Sequence, residues 1–204
     1  KDILYLCFSS KLSAHYEFAQ MAKLAALEKY PSARIEIVDS ASIAMGAGLL
    51  VYHAAGMKRE GRGFDEILTW LLENRYRALH FFTIDSLSYL QRTGRLSMMS
   101  MTVGTMLGVK PVLMLTREGT IIVFFKVRGR RGIVKYLADK VELNQLMDEL
   151  SQRLIVIYHA DDLGQATMLR DEIARRFAFK DIWLMNVGPV IGCHCGPGTL
   201  AVCM

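Results

Sequence analysis

Three short stretches hold residues whose types and spacing suit chemistry. Ser9-Ser10-Lys11-Leu12-Ser13 sets hydroxyls between a strand-like run and a helical one, where unpaired backbone N–H groups and the helix dipole favour an anion. Serine is also a leading N-capping residue, and position alone favours that ordinary role. Thr93-Gly94-Arg95-Leu96-Ser97 exposes one guanidinium on a glycine turn. Arginine clamps a carboxylate or phosphate in a planar fork; the plain structural alternative is a helix C-terminus with Gly94 at positive φ and Arg95 answering the dipole. Gly188 to Gly198 is a glycine- and proline-rich loop around Cys193-His194-Cys195. Adjacent ligands cannot all face one tetrahedral zinc and no second Cys/His pair lies at useful spacing, so no metal is expected. His194 suits instead a donor to a small anionic group, with Gly196 and Gly198 letting backbone approach closely.

Other chemistry finds less support. Ser13, Asp39 and His194 assemble into a triad only on paper, because no Gly-x-Ser-x-Gly elbow is present. Neither a Gly-x-Gly-x-x-Gly fingerprint nor a P-loop occurs, so nucleotide binding is not expected. His53 falls in a small-residue helix, and His80 and His159 flank strands as satisfied structural residues. From Lys126 to Lys135, the side chains of Lys126, Arg128, Arg130, Arg131 and Lys135 give five cations and no acid. A solvated edge and a docking site for an anionic ligand or acidic partner both fit that run. The net charge of +5 is mild, which excludes the strong basic stripe of a nucleic-acid binder.

Four cysteines in 204 residues are too sparse for a disulfide framework and read as free thiols of a reducing cytosol. No signal peptide is visible, and the chain is expected to be cytoplasmic. Ala41 to Met57 is the softest membrane candidate, yet it is broken by glycines and falls short of the ~20 apolar residues of a span. It is expected to be a buried, small-residue helix, with no stable membrane insertion. Met98, Met99, Met101 and Met106 cluster in one segment; flexible thioethers fill cores and also suit a pocket for a long apolar ligand.

The elements that must position these residues form two lobes. Strand Ile3–Phe8, helix Tyr16–Tyr30, strand Ile35–Val38, the helix Ala41–Met57 and a helix from Asp65 through Leu72 alternate as in a parallel α/β sheet with covered faces. After Arg77 the pattern changes. Strands are expected at Leu79–Ile84, Lys110–Thr116, Thr120–Val127, Leu154–His159 and Thr199–Met204, with Arg117-Glu118-Gly119 as a hairpin connection. Helices are expected at Ser86–Leu90, Met98–Leu107, Gly132–Asp139, Leu143–Gln152 and Gly164–Phe177. The fold class is therefore α/β: residues 1–77 make an incomplete parallel-sheet lobe, and residues 78–204 an α+β lobe with a largely antiparallel sheet.

Taken together, the three motifs resemble, in order, those of the DegV family of bacterial fatty-acid-binding proteins, the lipid-carrying subunits of fatty acid kinase. Ser9-Ser10-Lys11-Leu12-Ser13 looks like the family's Ser-Ser-x-Leu-Ser-Gly-Thr, and Leu90-Gln91-Arg92-Thr93-Gly94-Arg95-Leu96-Ser97 its Leu-x-x-Gly-Gly-Arg-Ile-Ser. Gly192-Cys193-His194-Cys195-Gly196-Pro197-Gly198 resembles its Gly-x-His-Thr-Gly-Pro-Gly. Ile37-Val38-Asp39-Ser40, Gly46-x-Gly48, Lys110-Pro111 and Lys126-x-Arg128 extend the likeness along the whole chain.

The resemblance implies a protein that holds a long-chain fatty acid between its lobes, with the carboxylate bound by Ser13 and His194. Arg95 and Arg128 would orient the head group or meet the kinase catalytic subunit, and the protein itself would do no chemistry and need no cofactor. Departures fall at Ala14-His15, where the family has Gly-Thr, and at Cys195, where it has Thr. His15 would add a donor or crowd the head group. The family's Thr-Ser-Gln-Pro motif has no counterpart, so the chain reads as a truncated or proteolysed product whose first sheet lacks strands and whose pocket is open on one side. The rival readings are an acyl hydrolase or transferase using Ser13 or Cys195 with His194, and an interaction module docking through Lys126–Lys135.

Overall fold

The first apolar run forms strand β1 (Asp2–Cys7), which lies parallel to β2 (Arg34–Asp39), with Ile3 opposite Ile35 and Leu6 opposite Val38. Parallel neighbours need a crossover, and helix α1 (His15–Lys29) supplies it. Helices α2 (Ala44–Arg59) and α3 (Phe64–Asn74) follow, and Leu50, Ile67 and Leu71 close on Val38 as the core of this part. At the start of α3 the Glu66 carboxylate accepts the Gly63 N–H at 2.9 Å, while the Arg34 guanidinium grips Asp65 through two N–H groups. The computed structural model describes residues 2–96, 108–144 and 154–204.

Three expectations for this part need correction. Helix α2 is buried along one side only, through Gly46, Leu49 and Leu50, while Val51 and Tyr52 face solvent. It also begins at Ala44 rather than Ala41, because Ala41 takes φ 48 and breaks the helical path. The faces of the sheet are not fully covered: Ile3 and Tyr5 on β1 and Phe18, Met21 and Leu24 on α1 are exposed.

The rest of the chain builds a six-stranded sheet. Its strands are β3 (His80–Thr83), β4 (Val109–Leu115), β5 (Ile121–Arg128), β6 (Leu154–Ala160), β7 (Asp181–Asn186) and β8 (Thr199–Cys203), in the spatial order β5-β4-β3-β8-β6-β7. Every neighbouring pair is antiparallel save β6 with β7. Helices α5 (Arg130–Asn144) and α6 (Leu163–Arg176) bury Ile133, Leu137, Leu169 and Ile173 against Ile155, Ile157 and Val202 of the sheet. Arg176 ties the two helices by donating to Asp139 at 2.8 Å and to Glu142. Two shorter helices, α4 (Ser88–Arg92) and α7 (Pro189–Cys195), sit at the ends of strands.

Here too the structure departs from the sequence reading. Strand β7 is an element that reading leaves out, and the expected Gly188–Gly198 loop contains helix α7. Helix α5 continues through Asn144, past the expected end at Asp139. The expected helix Met98–Leu107, with its methionines, and the part of Leu143–Gln152 beyond Asn144 lie outside the described residues, as does Ser97.

The chain divides into two compact units: Lys1–Ala78 with Arg117–Thr120, and Leu79–Thr116 with Ile121–Met204. The tip of the β4–β5 hairpin thus groups with the parallel-sheet unit. Gly119 makes this possible: it has φ +85, and a Cβ there would fall 2.3 Å from the Ser9 hydroxyl oxygen, which instead donates to the Gly119 carbonyl at 2.8 Å.

Candidate functional site

In the first unit, β1 ends at Cys7 and the chain turns through Ser9–Ser13 into α1. The Ser9 carbonyl accepts the N–H groups of Leu12 and Ser13 at 3.1 and 3.2 Å, which closes the turn. No serine occupies the N-cap. That place falls to Ala14, which cannot cap, and the Ser13 hydroxyl oxygen accepts the His15 N–H at 3.2 Å. The ordinary capping role favoured by position is therefore replaced by a looser one that leaves the Ser13 O–H proton free to donate. His15 is held by the Tyr5 hydroxyl, 2.8 Å from its Nε2, with the two rings edge to face. Asp39, at the end of β2, grips the same turn through Ser10.

In the second unit, Gly94 takes φ +68 just after α4, and the Arg95 N–H returns to the Leu90 carbonyl at 3.0 Å. That is the helix C-terminus proposed from sequence as the structural role of this motif. Arg95 is exposed, and its guanidinium also donates to the Thr93 carbonyl. Helix α7 starts with Pro189, whose missing N–H costs nothing at a first helical position, and presents His194 near its end. Burial, and secondly the nearby Arg95 cation, pull the His194 imidazole below its ordinary value of 6.5, so the ring is neutral at pH 7. Its Nδ1 is buried and has no hydrogen-bond partner among the described residues.

Gly196 and Gly198 serve a different purpose from the one read in the sequence. A Cβ on Gly196, at φ +77, would lie 2.5 Å from the Tyr89 ring, and one on Gly198, at φ +75, 2.4 Å from the Asp85 carboxyl carbon. Backbone does approach closely, and what it approaches is α4 and Asp85, three residues before that helix. Lys110 completes this group by pairing with Asp85 at 2.5 Å. Tyr89 and Asp85 carried no signal in the sequence, since their role appears only when distant segments meet.

A family model described as that of uncharacterised DegV family proteins matches residues 1–204. The chain belongs to the DegV family. A DegV domain-containing protein of Clostridium perfringens is 42% identical over 201 residues, which cover 98% of this chain and 68% of that protein. The crystal structure of a fatty acid binding DegV family protein from Streptococcus agalactiae matches with a TM-score of 0.87 at 28% identity, over 100% of this chain and 69% of its own. The fatty acid kinase B3 protein of Streptococcus pneumoniae, loaded with linoleic acid, gives a TM-score of 0.88 over 98% of this chain and 70% of its own. At 22% identity that second likeness is one of fold. The mixed α/β architecture, with its parallel pair and largely antiparallel six-stranded sheet, is the DegV fold.

Within this DegV chain the remaining candidates sort by surroundings. Cys195 is buried, and burial pushes its thiol up to about 11, so it is protonated at neutral pH and a poor nucleophile. Cys193 is exposed. No group of three metal-capable side chains occurs among the described residues, and no helix among them is long and apolar enough to cross a membrane. The cations Lys126, Arg128, Arg130 and Arg131 are exposed on edge strand β5 and the start of α5, with Phe125 stacked on Tyr136 at 4.9 Å beside them. His159 is satisfied, accepting the Asp162 N–H at 3.2 Å. His80 is not fully satisfied as expected: Nδ1 meets the Tyr158 hydroxyl at 3.0 Å, but Nε2 has no partner among the described residues. A cleft of about 680 Å³ in the first unit, lined by Leu4, Leu6, Val51, Ala54, Ile67 and Leu71 among others, lies beside β1 and does not include Ser13.

Proposed function

We propose that this DegV protein binds one long-chain fatty acid, holds its carboxylate through Ser13 and His194, and presents it in the cytosol to the catalytic subunit of a fatty acid kinase. It does no chemistry of its own. The observation that carries the reading is His194, a neutral ring with a buried Nδ1 that lacks a partner among the described residues and stands beside the Arg95 cation. Buried polar atoms are almost always hydrogen-bonded, so an orphan of this kind calls for a ligand acceptor or donor. Ser13 keeps a hydroxyl proton for the same task. His15 and Cys195 flank these two in sequence and line the head group; Arg95 and Arg128 neutralise it or face the kinase. The named fatty-acid binder from Streptococcus agalactiae supports the ligand class, and the kinase B3 neighbour supports the partner.

The energetics agree with a lipid rather than a purely ionic ligand. A buried CH₂ is worth about 0.8 kcal/mol, so a sixteen-carbon tail contributes roughly 12 kcal/mol gross before ordering costs. Each hydrogen bond to the charged carboxylate adds about 1.5–3 kcal/mol and so mainly sets orientation. The hydrolase reading is weakened by the protonated, buried Cys195.

The test is to denature the purified protein, extract it with organic solvent and identify released lipid by mass spectrometry, beside native mass spectrometry of the intact chain. One fatty acid per chain is the expected result. A protein that carries none and takes up none when offered palmitate or oleate sinks the reading.

A further inference from the structure

Asp39 closes β2 and reaches to the turn that follows β1. Its Oδ2 accepts the Ser10 hydroxyl at 2.6 Å, and its Oδ1 accepts the backbone N–H groups of Ser10 at 3.2 Å and Ala41 at 2.9 Å. A carboxylate occupied by three donors of its own protein has little capacity left for a ligand, and its charge repels an acid. Asp39 is therefore no ligand for a fatty-acid head group. What it holds is the root of the Ser9–Ser13 turn. The Ser9 N–H donates to the Ser42 carbonyl at 2.9 Å, so both Ser9 and Ser10 are fastened to the loop after β2, and Ser13 is hung from Ser9 by the N–H···O bond described above. From the other side, the Gly119 carbonyl takes the Ser9 hydroxyl. Ala41 sits at φ 48, a conformation L-residues rarely adopt, and it is kept there by the same Asp39 oxygen that holds Ser10.

We propose that Asp39 is a positioning residue that sets the preference for an acid over a neutral head group. By fixing Ser10 it fixes the turn, and the turn aims the Ser13 hydroxyl at the ligand carboxylate. This rests on the reading of Ser13 as a carboxylate ligand. A purely structural Asp39 predicts something else: its loss would weaken binding of any sixteen-carbon chain alike, whatever the head group.

The experiment compares delipidated protein binding palmitic acid and 1-hexadecanol, which share a tail and differ in the head. Wild type, Asp39→Asn, Ser10→Ala, Ser13→Ala and the Asp39→Asn/Ser13→Ala double variant are measured, each checked by circular dichroism. Asp39→Asn and Ser10→Ala are expected to cut palmitate affinity about tenfold while changing hexadecanol affinity by less than about twofold. In the double variant the acid preference should fall no further than in Ser13→Ala alone, because the two residues act through one contact. An unchanged acid-to-alcohol ratio in Asp39→Asn and Ser10→Ala overturns the positioning role while leaving Ser13 as a ligand. A wild type with no preference for the acid, or a Ser13→Ala variant that keeps it, overturns the reading of Ser13 and this proposal with it. Ser10→Ala removes one hydroxyl from a half-buried site, so the comparison stands even if Asp39→Asn fails to fold.

Discussion

On the proposed reading Ser13 and His194 would offer a carboxylate two neutral donors, and neither would bring a counter-charge of its own. Neutral donors orient an anion without holding it so tightly that it cannot be handed on, and the Arg95 cation acts on His194 through space. Replacing either residue by alanine is expected to weaken fatty-acid binding by about 10- to 100-fold, the worth of one hydrogen bond to a charged group. The fold should persist, because Ser13 is only half-buried and the bond its hydroxyl accepts from the His15 N–H lies at a helix end, while its own N–H keeps the Ser9 carbonyl in either variant. Calorimetric titration with palmitate, beside thermal melts, checks both halves; a protein that unfolds yet keeps its lipid contradicts the assignment. At this scale the sequence was informative about types and poor about neighbours. Ser13, His194 and Arg95 stood out by type and by motif. The grip of Asp39 on Ser10 did not, since nothing local distinguishes a carboxylate that braces a turn from one that faces water.

Helix α7 shows how punctuation can mislead at the next level. Gly188, Pro189, Gly192, Gly196 and Gly198 read as a loop because glycine and proline are poor helix formers. In the fold Pro189 starts the helix and Gly196 ends it, its N–H donating to the Gly192 carbonyl at 2.7 Å, so Gly188, Pro189 and Gly196 mark the boundaries while Gly192 lies within the helix. Strand β7 escapes for another reason: its apolar run is only Ile182–Met185, four residues between Asp181 and Asn186, half-buried at best on an edge strand whose one partner among the described residues is β6. The buried strands β6 and β8, apolar but for His159 and Thr199 near their ends, are plain. Gly196→Ala is expected to destabilise the protein by roughly 3 kcal/mol, combining a backbone conformation reserved for glycine with collision against Tyr89. Gly188→Ala, at φ −68 with open space around it, should stay within about 0.5 kcal/mol of wild type. Denaturant midpoints of the two variants make the comparison, and equal shifts would show that the Tyr89 contact yields easily.

For the molecule as a whole, His80 sets a dependence on acid. The ring is 1% exposed, and burial drives it from 6.5 down to about 3. Above pH 6.5 it is neutral whether the chain is folded or not, and contributes no pH dependence. As pH falls below 6.5 the unfolded chain takes up a proton that the folded one refuses, so stability is lost progressively until about pH 3. The loss amounts to roughly 4–5 kcal/mol over that window. His80→Asn, which keeps a polar partner for Tyr158, should flatten the slope of unfolding free energy between pH 6 and pH 4 by about 1.4 kcal/mol per pH unit at most. Parallel slopes for wild type and variant would mean that His80 is reached by water in the native state.

Ser9 and Gly119 stand 110 residues apart, and the buried Ser9 hydroxyl has its acceptor only in the second of them. Chains leave the ribosome at about 5–20 residues per second, so β1, α1 and β2 emerge and begin to pair roughly 4–16 s before that acceptor exists. Through that interval the hydroxyl, whose oxygen accepts the Lys11 N–H at 3.3 Å, has only water to take its own proton. The parallel-sheet unit is thus sealed by a turn synthesised after most of it, and a ribosome stalled before the β4–β5 hairpin would display it unfinished.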